Sequence, residues 1–386
     1  MTRLDDIRGR ILDAMTPLSA EPVRQDVARG RWLAEPVRAR VAAPPLSCSA
    51  MDGYAIRAED VDRAQPLRVA DTAYAGDAVP APIRPGEALR IFTGAPVPEN
   101  TGAVVPQEAT RVTGEFVELK GPLSPGANVR RAGEDVAAGE VALEPGRCLN
   151  ARALGLCAAV SVDELRVVRA PRVTVISTGD EVVRGRTPDS NGASLAALVR
   201  ELGAQVTSRA VGDDLDALTA ALRVAAAESD AVLTIGGVSV GVKDLVPEAL
   251  ARAGAAVQVH GVPMKPGKPF LFATLGEAAV FGLPGSPSAC LVAFEVFARP
   301  ALLRMSGAAR PFRPVVRVPL GERLEGRAGR DRFVWARLDG EGRAWPLGKD
   351  SAQVRGPAIA DLLLRVPEDT GDVAAGAMGE AWLLEA

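Results

Sequence analysis

Two neighbouring acids close the first segment able to do chemistry, Ser177-Thr178-Gly179-Asp180-Glu181. It follows a short apolar strand, and Gly179 permits a tight turn with close backbone approach. Carboxylates at a strand end suit Mg²⁺, which takes one or two of them together with phosphate oxygens. The plainer reading is a polar turn with solvated acids. A second loop, Gly236-Gly237-Val238-Ser239-Val240-Gly241-Val242-Lys243-Asp244, lies between a strand and a helix. Its small residues expose backbone N–H groups, and the dipole of the following helix favours an anion such as phosphate. It is neither a Walker loop nor G-x-G-x-x-G; a glycine turn capped by Asp244 is the simpler alternative. The third loop, Lys265-Pro266-Gly267-Lys268-Pro269, holds two lysines close between prolines of fixed φ. Clustered cations of this kind bind oxyanions, or else decorate a stiff surface hairpin. Pro284-Gly285-Ser286-Pro287 enters a helix and offers one more anion nest, or ordinary strand-to-helix punctuation. Upstream, Asp52 before Gly53-Tyr54, Thr93 in Phe92-Thr93-Gly94-Ala95-Pro96, and Asp135 after Arg130-Arg131 sit at polar turns.

The elements that must carry these loops alternate. Val173-Thr174-Val175-Ile176 reads as a short buried strand, Leu195, Leu198, Val199 and Leu202 as a helical stripe ended by Gly203, and residues 206–211 as a weaker strand. Asp213-Asp214 can cap a helix carrying Leu215, Leu218 and Leu222. Strands follow at residues 231–235 and 279–283, with helices over residues 245–252 and from Pro284-Gly285 to about Met305. Repeated strand–loop–helix units predict a mostly parallel sheet covered by helices, with ligands at the C-terminal strand ends.

The flanks differ. Leu4, Ile7, Ile11 and Met15 mark a first helix broken by Pro17. From about residue 44 to 141, Gly and Pro punctuate short apolar runs, the mark of a β-rich region with many turns. After Pro311 the chain is again β-like, predicting a small C-terminal β-domain.

Composition narrows the classes. With 386 residues, 47% hydrophobic, the chain can bury several cores. A net charge of −3 gives no sign of a nucleic-acid or membrane surface, so cations for an anionic substrate must be local. His260 is the single histidine, which argues against His triads and His-metal sites. Cys48, Cys148, Cys157 and Cys290 form no C-x-x-C pair, and a reduced, cytoplasmic protein is expected. The opening residues, with Asp5 and Asp6 in the first turn, do not read as a signal peptide, and no apolar stretch reaches ~18 residues.

Taken in order, the segments SAMDGYA, FTGAPVP, RRAGEDV, ISTGDEV, DSNGASL, TIGGVSVG, MKPGKPF and GLPGSP resemble the molybdopterin molybdenumtransferases, the MoeA family that includes the gephyrin E-domain. Any one motif is weak; eight in order are specific. The resemblance implies a multidomain α/β plus β fold. Its parts would be an N-terminal helix (residues 1–19) packing on the α/β domain, a linking domain (20–43 and 140–170), an inserted β-rich domain (44–139), a three-layer α/β domain (171–310) and a C-terminal β-barrel-like domain (311–386). It implies a homodimer with the cleft shared between subunits, and insertion of molybdate into adenylyl-molybdopterin with release of AMP, assisted by Mg²⁺. A molybdopterin adenylyltransferase is an implied partner.

By the same resemblance, Ser177, Thr178 and Gly179 with Gly236, Gly237, Val238 and Ser239 match phosphate and nucleotide loops. Glu181, Asp213 and Asp244 match site acids, with Asp180, Glu181 and Asp244 as metal candidates. Lys265 and Lys268 match an oxyanion-attracting loop, and Pro284, Gly285 and Ser286 a substrate-binding turn. Asp52, Thr93 and Asp135 match functional positions of the inserted domain, which in the family reaches the partner's cleft. Departures cluster where molybdate would bind. Pro284-Gly285-Ser286-Pro287-Ser288-Ala289 stands in place of Pro-Gly-Asn-Pro-Val-Ser, so the Asn is gone and a hydroxyl has moved by one residue. Gly261, beside His260, replaces a frequent Lys; His260 itself reads as structural or surface. Arg330-Asp331-Arg332-Phe333-Val334-Trp335 keeps only the first Arg of an Arg-x-acid-Phe-x-Arg pattern, with Arg337 two residues late, and Gly348-Lys349-Asp350-Ser351 replaces a Gln-Gly-Ser turn. The alternative to the enzyme is a non-catalytic scaffold of the same fold that holds molybdopterin or the finished cofactor; the retained acids and lysines argue for the enzyme. A second alternative, the adenylylating enzyme of the same pathway, would be a much shorter, lone α/β domain.

Overall fold

The β-branched run of Arg172–Thr178 forms a strand buried along most of its length, as expected where helices cover both faces of a sheet. The computed structural model describes residues 3–61, 65–121, 123–239, 241, 244–348 and 352–384. Val240, Val242 and Lys243 of the glycine loop, and the turn Lys349, Asp350 and Ser351, lie outside them. The central sheet runs Gln205–Val211, Arg172–Thr178, Ala231–Ile235, Ala278–Leu283, Leu271–Leu275, Ala256–His260. The first four strands are parallel, and the last two are added antiparallel. Because the chain leaves Arg172–Thr178 for one neighbour and later returns on the other side, a crevice opens at its C-terminal end.

Helices seal both faces. Ser190–Glu201 buries Leu195 and Val199, with the carboxylate of Asp189 accepting from the N–H of Gly192 at 2.8 Å. Leu215–Glu228 is capped by Asp214 rather than Asp213. The stretch after Pro287 stays helical through a π segment, Phe294–Ala298, to Met305. The N-terminal helix Arg3–Asp13 drops Leu4 and Ile11 into this same core, each worth roughly 2 kcal/mol of apolar burial.

Two further regions are sheets, as their turn-rich patterning predicts. Residues 53–119 form six strands ordered Thr101–Pro106, Gly53–Arg57, Glu87–Ile91, Leu67–Ala73, Phe116–Leu119, Thr110–Thr113. Alternation puts Tyr54 and Ile56 in the core on one face and Ala55 in that on the other. A small core around Leu33, Leu149, Cys157 and Val167 links this region to the rest. The C-terminal sheet is ordered Met264–Lys265, Asp331–Leu338, Leu362–Val366, Met378–Leu383, Val315–Pro319, with Ala344–Pro346 also on Asp331–Leu338. Its edge strand therefore comes from the lysine loop of the α/β region: Met264 lies opposite Asp331 and Lys265 opposite Arg332, in parallel. Among the described residues, no helix is long and apolar enough to cross a membrane.

The seam is fastened by charge. Asp331 is fully buried and takes Arg365 at 2.6 Å, while Arg365 also reaches Asp5 of the first helix at 2.9 Å. Removing one partner of a buried pair leaves a charge that water cannot reach. Arg365→Met is expected to lose about 3–5 kcal/mol, read as a lower denaturant midpoint at unchanged slope. A loss under about 1 kcal/mol would show that the pair does not hold the seam.

Candidate functional site

The crevice at the ends of Arg172–Thr178 and Ala231–Ile235 is a cavity of about 400 Å³. Ser177, Thr178, Gly179, Glu181 and Asp213 line it from one side, and Gly236, Gly237, Asp244 and Gly285 from the other. Its floor is stitched by side chains: Thr178 Oγ1 donates to the carbonyl of Ile235 at 2.9 Å, and Asn191 Nδ2 to that of Gly285 at 2.7 Å. Ser177 Oγ donates to Asp189 Oδ2 at 2.5 Å. Gly236 has φ +82°, and a Cβ there would stand 3.1 Å from Thr178 Oγ1, so glycine keeps the backbone bare. Gly179, at φ +127°, lies beneath Glu181: a Cβ there would meet both carboxylate oxygens, at 2.6 and 2.7 Å.

Among the described residues, the ionisable side chains on this cavity are all acids: Glu181, Asp189, Asp213 and Asp244. One oxygen of Asp244 accepts from the Gly241 N–H at 2.7 Å, leaving the other for a ligand. Among the described residues, no three or more His, Cys, Asp or Glu side chains gather as a metal site. Glu181 and Asp244 line the cavity beside bare glycine backbone, and carboxylates are the donor type that Mg²⁺ takes alongside phosphate oxygens and water. Asp180 has other work. Its carboxylate pairs with Arg184 at 2.7 Å and accepts from the Asp213 N–H at 3.2 Å, and it does not line the cavity.

A second cavity, about 750 Å³, adjoins the first across the turn Pro284-Gly285-Ser286-Pro287. Pro284 and Ser286 face it, while Gly285 and Pro287 face the acidic cavity. Among the described residues its ionisable lining is cationic: Lys265, Lys268, Arg330 and Arg332. Arg332 pairs with Glu325 at 3.2 Å. Neither lysine nor Arg330 has an ion pair among the described residues. Like charges held together in this way raise the local anion concentration. The lysine hairpin is closed by Val262 N–H to the Lys268 carbonyl at 2.9 Å, and Lys265 is pinned by its pairing with Arg332.

Other expected residues fall elsewhere. Val238 points its side chain into the apolar core, and Ser239 is exposed; neither lines a cavity, so the glycine loop offers Gly236 and Gly237. His260 Nε2 donates to the Val238 carbonyl at 3.0 Å, a support for that loop. Asp52, Thr93 and Asp135 lie on the inserted region and line neither cavity of their own chain. Asp52 Oδ1 accepts from Thr93 Oγ1 at 2.7 Å and from its N–H at 2.8 Å. Those bonds hold the Asp52 carboxyl below its usual range. Sequence reasoning carried Asp189 and Asn191 only within the segment DSNGASL and gave them no role, and it passed over Gln353, which had no signal.

The chain is similar to known proteins along most of its length. A family model described as "MoeA N-terminal region (domain I and II)" matches residues 2–161, and one described as "Probable molybdopterin binding domain" matches residues 174–304. A third, "MoeA C-terminal region (domain IV)", matches residues 317–384. The chain is 39% identical to molybdopterin molybdenumtransferase 2 of Mycobacterium tuberculosis, over 97% of this chain and 96% of that protein. It is 38% identical to the molybdopterin molybdenumtransferase of a Nostoc species, over 81% of this chain and 75% of that protein. The crystal structure of the molybdopterin biosynthesis moeA protein from Pyrococcus horikoshii OT3 matches with a TM-score of 0.86 at 27% identity, covering 99% of this chain and 100% of that one.

Thr93→Val removes the side-chain bond that does most to depress the Asp52 pKa. The Asp52 titration followed by NMR should move up toward the ordinary Asp range. The stabilisation that this bond lends is present at neutral pH and lost as pH falls through the depressed value. An unmoved titration would show the contact absent in solution.

Proposed function

Since the chain belongs to the molybdopterin molybdenumtransferase family, we propose that its two adjoining cavities receive adenylyl-molybdopterin and molybdate and release molybdenum cofactor and AMP. It is a transferase of molybdenum cofactor biosynthesis. The observation that carries the substrate reading is the opposite polarity of two cavities divided by one four-residue turn. A pyrophosphate carried with a divalent cation suits acids beside bare glycine backbone, whereas a free oxyanion suits clustered cations. The relatives' names favour transfer over carriage of the cofactor.

In this reading Gly236, Gly237 and Gly285 let phosphate approach bare backbone, and Ser177 and Thr178 shape the floor. Glu181 and Asp244 are the acids that would hold Mg²⁺, and the ion would neutralise charge on the pyrophosphate. Lys265 and Lys268, with Pro284 and Ser286 beside them, draw molybdate to the other side of the turn. The protein's contribution is positioning and fixed charge. The dithiolene sulfurs belong to the substrate, so no cysteine is called upon. Asp52, Thr93 and Asp135 line neither of these two cavities of their own chain, which supports a homodimer in which each copy completes the other's cleft. The same reading places the protein in the cytoplasm, supplied by a molybdopterin adenylyltransferase.

The direct test gives purified protein adenylyl-molybdopterin, Mg²⁺ and molybdate, and follows AMP and cofactor together. Both should appear; tight binding without AMP would leave a carrier. Glu181→Gln and Asp244→Asn should fold normally yet slow AMP release by about 100-fold or more, as expected for groups that stabilise developing charge. Wild-type rates in both would remove these acids from the site. An equal mixture of Asp52→Ala and Asp244→Ala chains, refolded together, should regain about a quarter of wild-type activity if the cleft is shared, because half the dimers then carry one intact site. No regain would mean that Asp52 serves its own chain.

A further inference from the structure

One polar contact on the basic cavity is required neither by the lysines nor by the glycine turn. Ser288 follows Pro287 in the helix and is 2% exposed. Its Oγ lies 2.9 Å from Trp335 Nε1, and both residues line the cavity. An indole N–H only donates, so Ser288 Oγ must be the acceptor. Its own proton is then left to be donated, and among the described residues no acceptor takes it. A buried hydroxyl proton without a partner is unfavourable, because it has given up water and gained no acceptor. Among the described residues, the ionisable side chains on the cavity in front of it are Lys265, Lys268, Arg330 and Arg332, with no carboxylate. An anion with acceptor oxygens fits that surround; a cation or a second donor does not.

We propose that Ser288 donates its hydroxyl proton to the tetrahedral oxyanion bound in the basic cavity, and that Trp335 is the positioning residue that turns it there. This rests on reading that cavity as the molybdate subsite. Trp335 does not touch the anion in this arrangement. Its N–H takes one of the two lone pairs of Ser288 Oγ and so turns the O–H away from the indole, and its ring, 6% exposed, is itself locked in the core.

Molybdate alone is titrated into the full-length protein by calorimetry, with thermal unfolding run on each variant as a check on folding. Ser288→Ala should weaken binding about tenfold, the typical worth of a hydrogen bond to a charged group. Trp335→Phe, which keeps an aromatic ring but loses the donor, should weaken it about three- to fivefold. Ser288→Thr should restore most of the affinity. Decisively, adding Trp335→Phe to Ser288→Ala should cause no further loss, because Trp335 acts only through the hydroxyl. Independent, additive losses would make Trp335 a packing residue and overturn the proposal. If Lys265→Ala weakens molybdate while Ser288→Ala does not, the proposal fails and the subsite stands. If the wild-type protein does not bind molybdate, or Lys265→Ala leaves its binding unchanged, the subsite reading fails and the proposal falls with it.

Discussion

The parallel pairing of Met264–Lys265 with Asp331–Leu338 is the contact on which the basic cavity depends. It makes the lysine loop an edge strand of a sheet that otherwise belongs to another part of the chain. Without it, Lys265 and Lys268 would stand on a solvated hairpin, where clustered like charges repel and are screened. With it, two arginines and an indole close over them. The pairing is only two residues long, too short to hold by its own hydrogen bonds. What secures it is the buried Asp331–Arg365–Asp5 arrangement beside it, and the first helix, which carries Asp5 and sinks Leu4 and Ile11 into the α/β core.

The acidic cavity has a different origin. It needs no second region of the chain, because the strand order alone opens it. Its walls are loops that leave neighbouring parallel strands, and glycines at Gly179, Gly236 and Gly285 keep those walls thin. The two sites therefore differ in how they are built. One is intrinsic to the α/β sheet, and the other is assembled between the sheet and the C-terminal strands. The turn Pro284-Gly285-Ser286-Pro287 belongs to both, and its alternate residues face opposite ways. Displacing that turn would change both cavities together, which is a physical route for coupling events on its two sides.

Much of this was legible in the sequence because it obeys a period. The buried strands and amphipathic helices of the α/β region stand where the apolar pattern puts them, and the glycine and lysine loops fall at the strand ends. The added strands Ala256–His260 and Leu271–Leu275 were not legible: the first is mostly exposed, and the second follows the lysine loop with no helix before it, so no strand–loop–helix unit marks it. Two-residue strands such as Met264–Lys265 have no period at all. Neither does chain chemistry distinguish Asp180 from Glu181. The backbone does, by turning one acid onto Arg184 and the Asp213 N–H and the other over Gly179. The assignment of Val238 to ligand binding overlooked the same fact in another form, that a loop leaving a buried strand must return one apolar side chain to the core.

The departures from the family pattern make the strongest case for reading residues in space. In the sequence they are separate: a hydroxyl at Ser288 rather than one residue later, and Trp335 where an arginine pattern breaks down. In the structure Ser288 and Trp335 are hydrogen-bonded to each other on the wall of one cavity. A tryptophan in place of a cation removes positive charge, yet Lys265, Lys268, Arg330 and Arg332 remain around it. Its N–H needs a buried acceptor, since an unpaired indole donor is unfavourable in a core. A hydroxyl at Ser288 meets that need, whereas the valine of the family pattern has no atom to offer. The Ser288 hydroxyl thus supplies the acceptor that the buried Trp335 N–H requires, and two departures far apart in the chain meet in one contact.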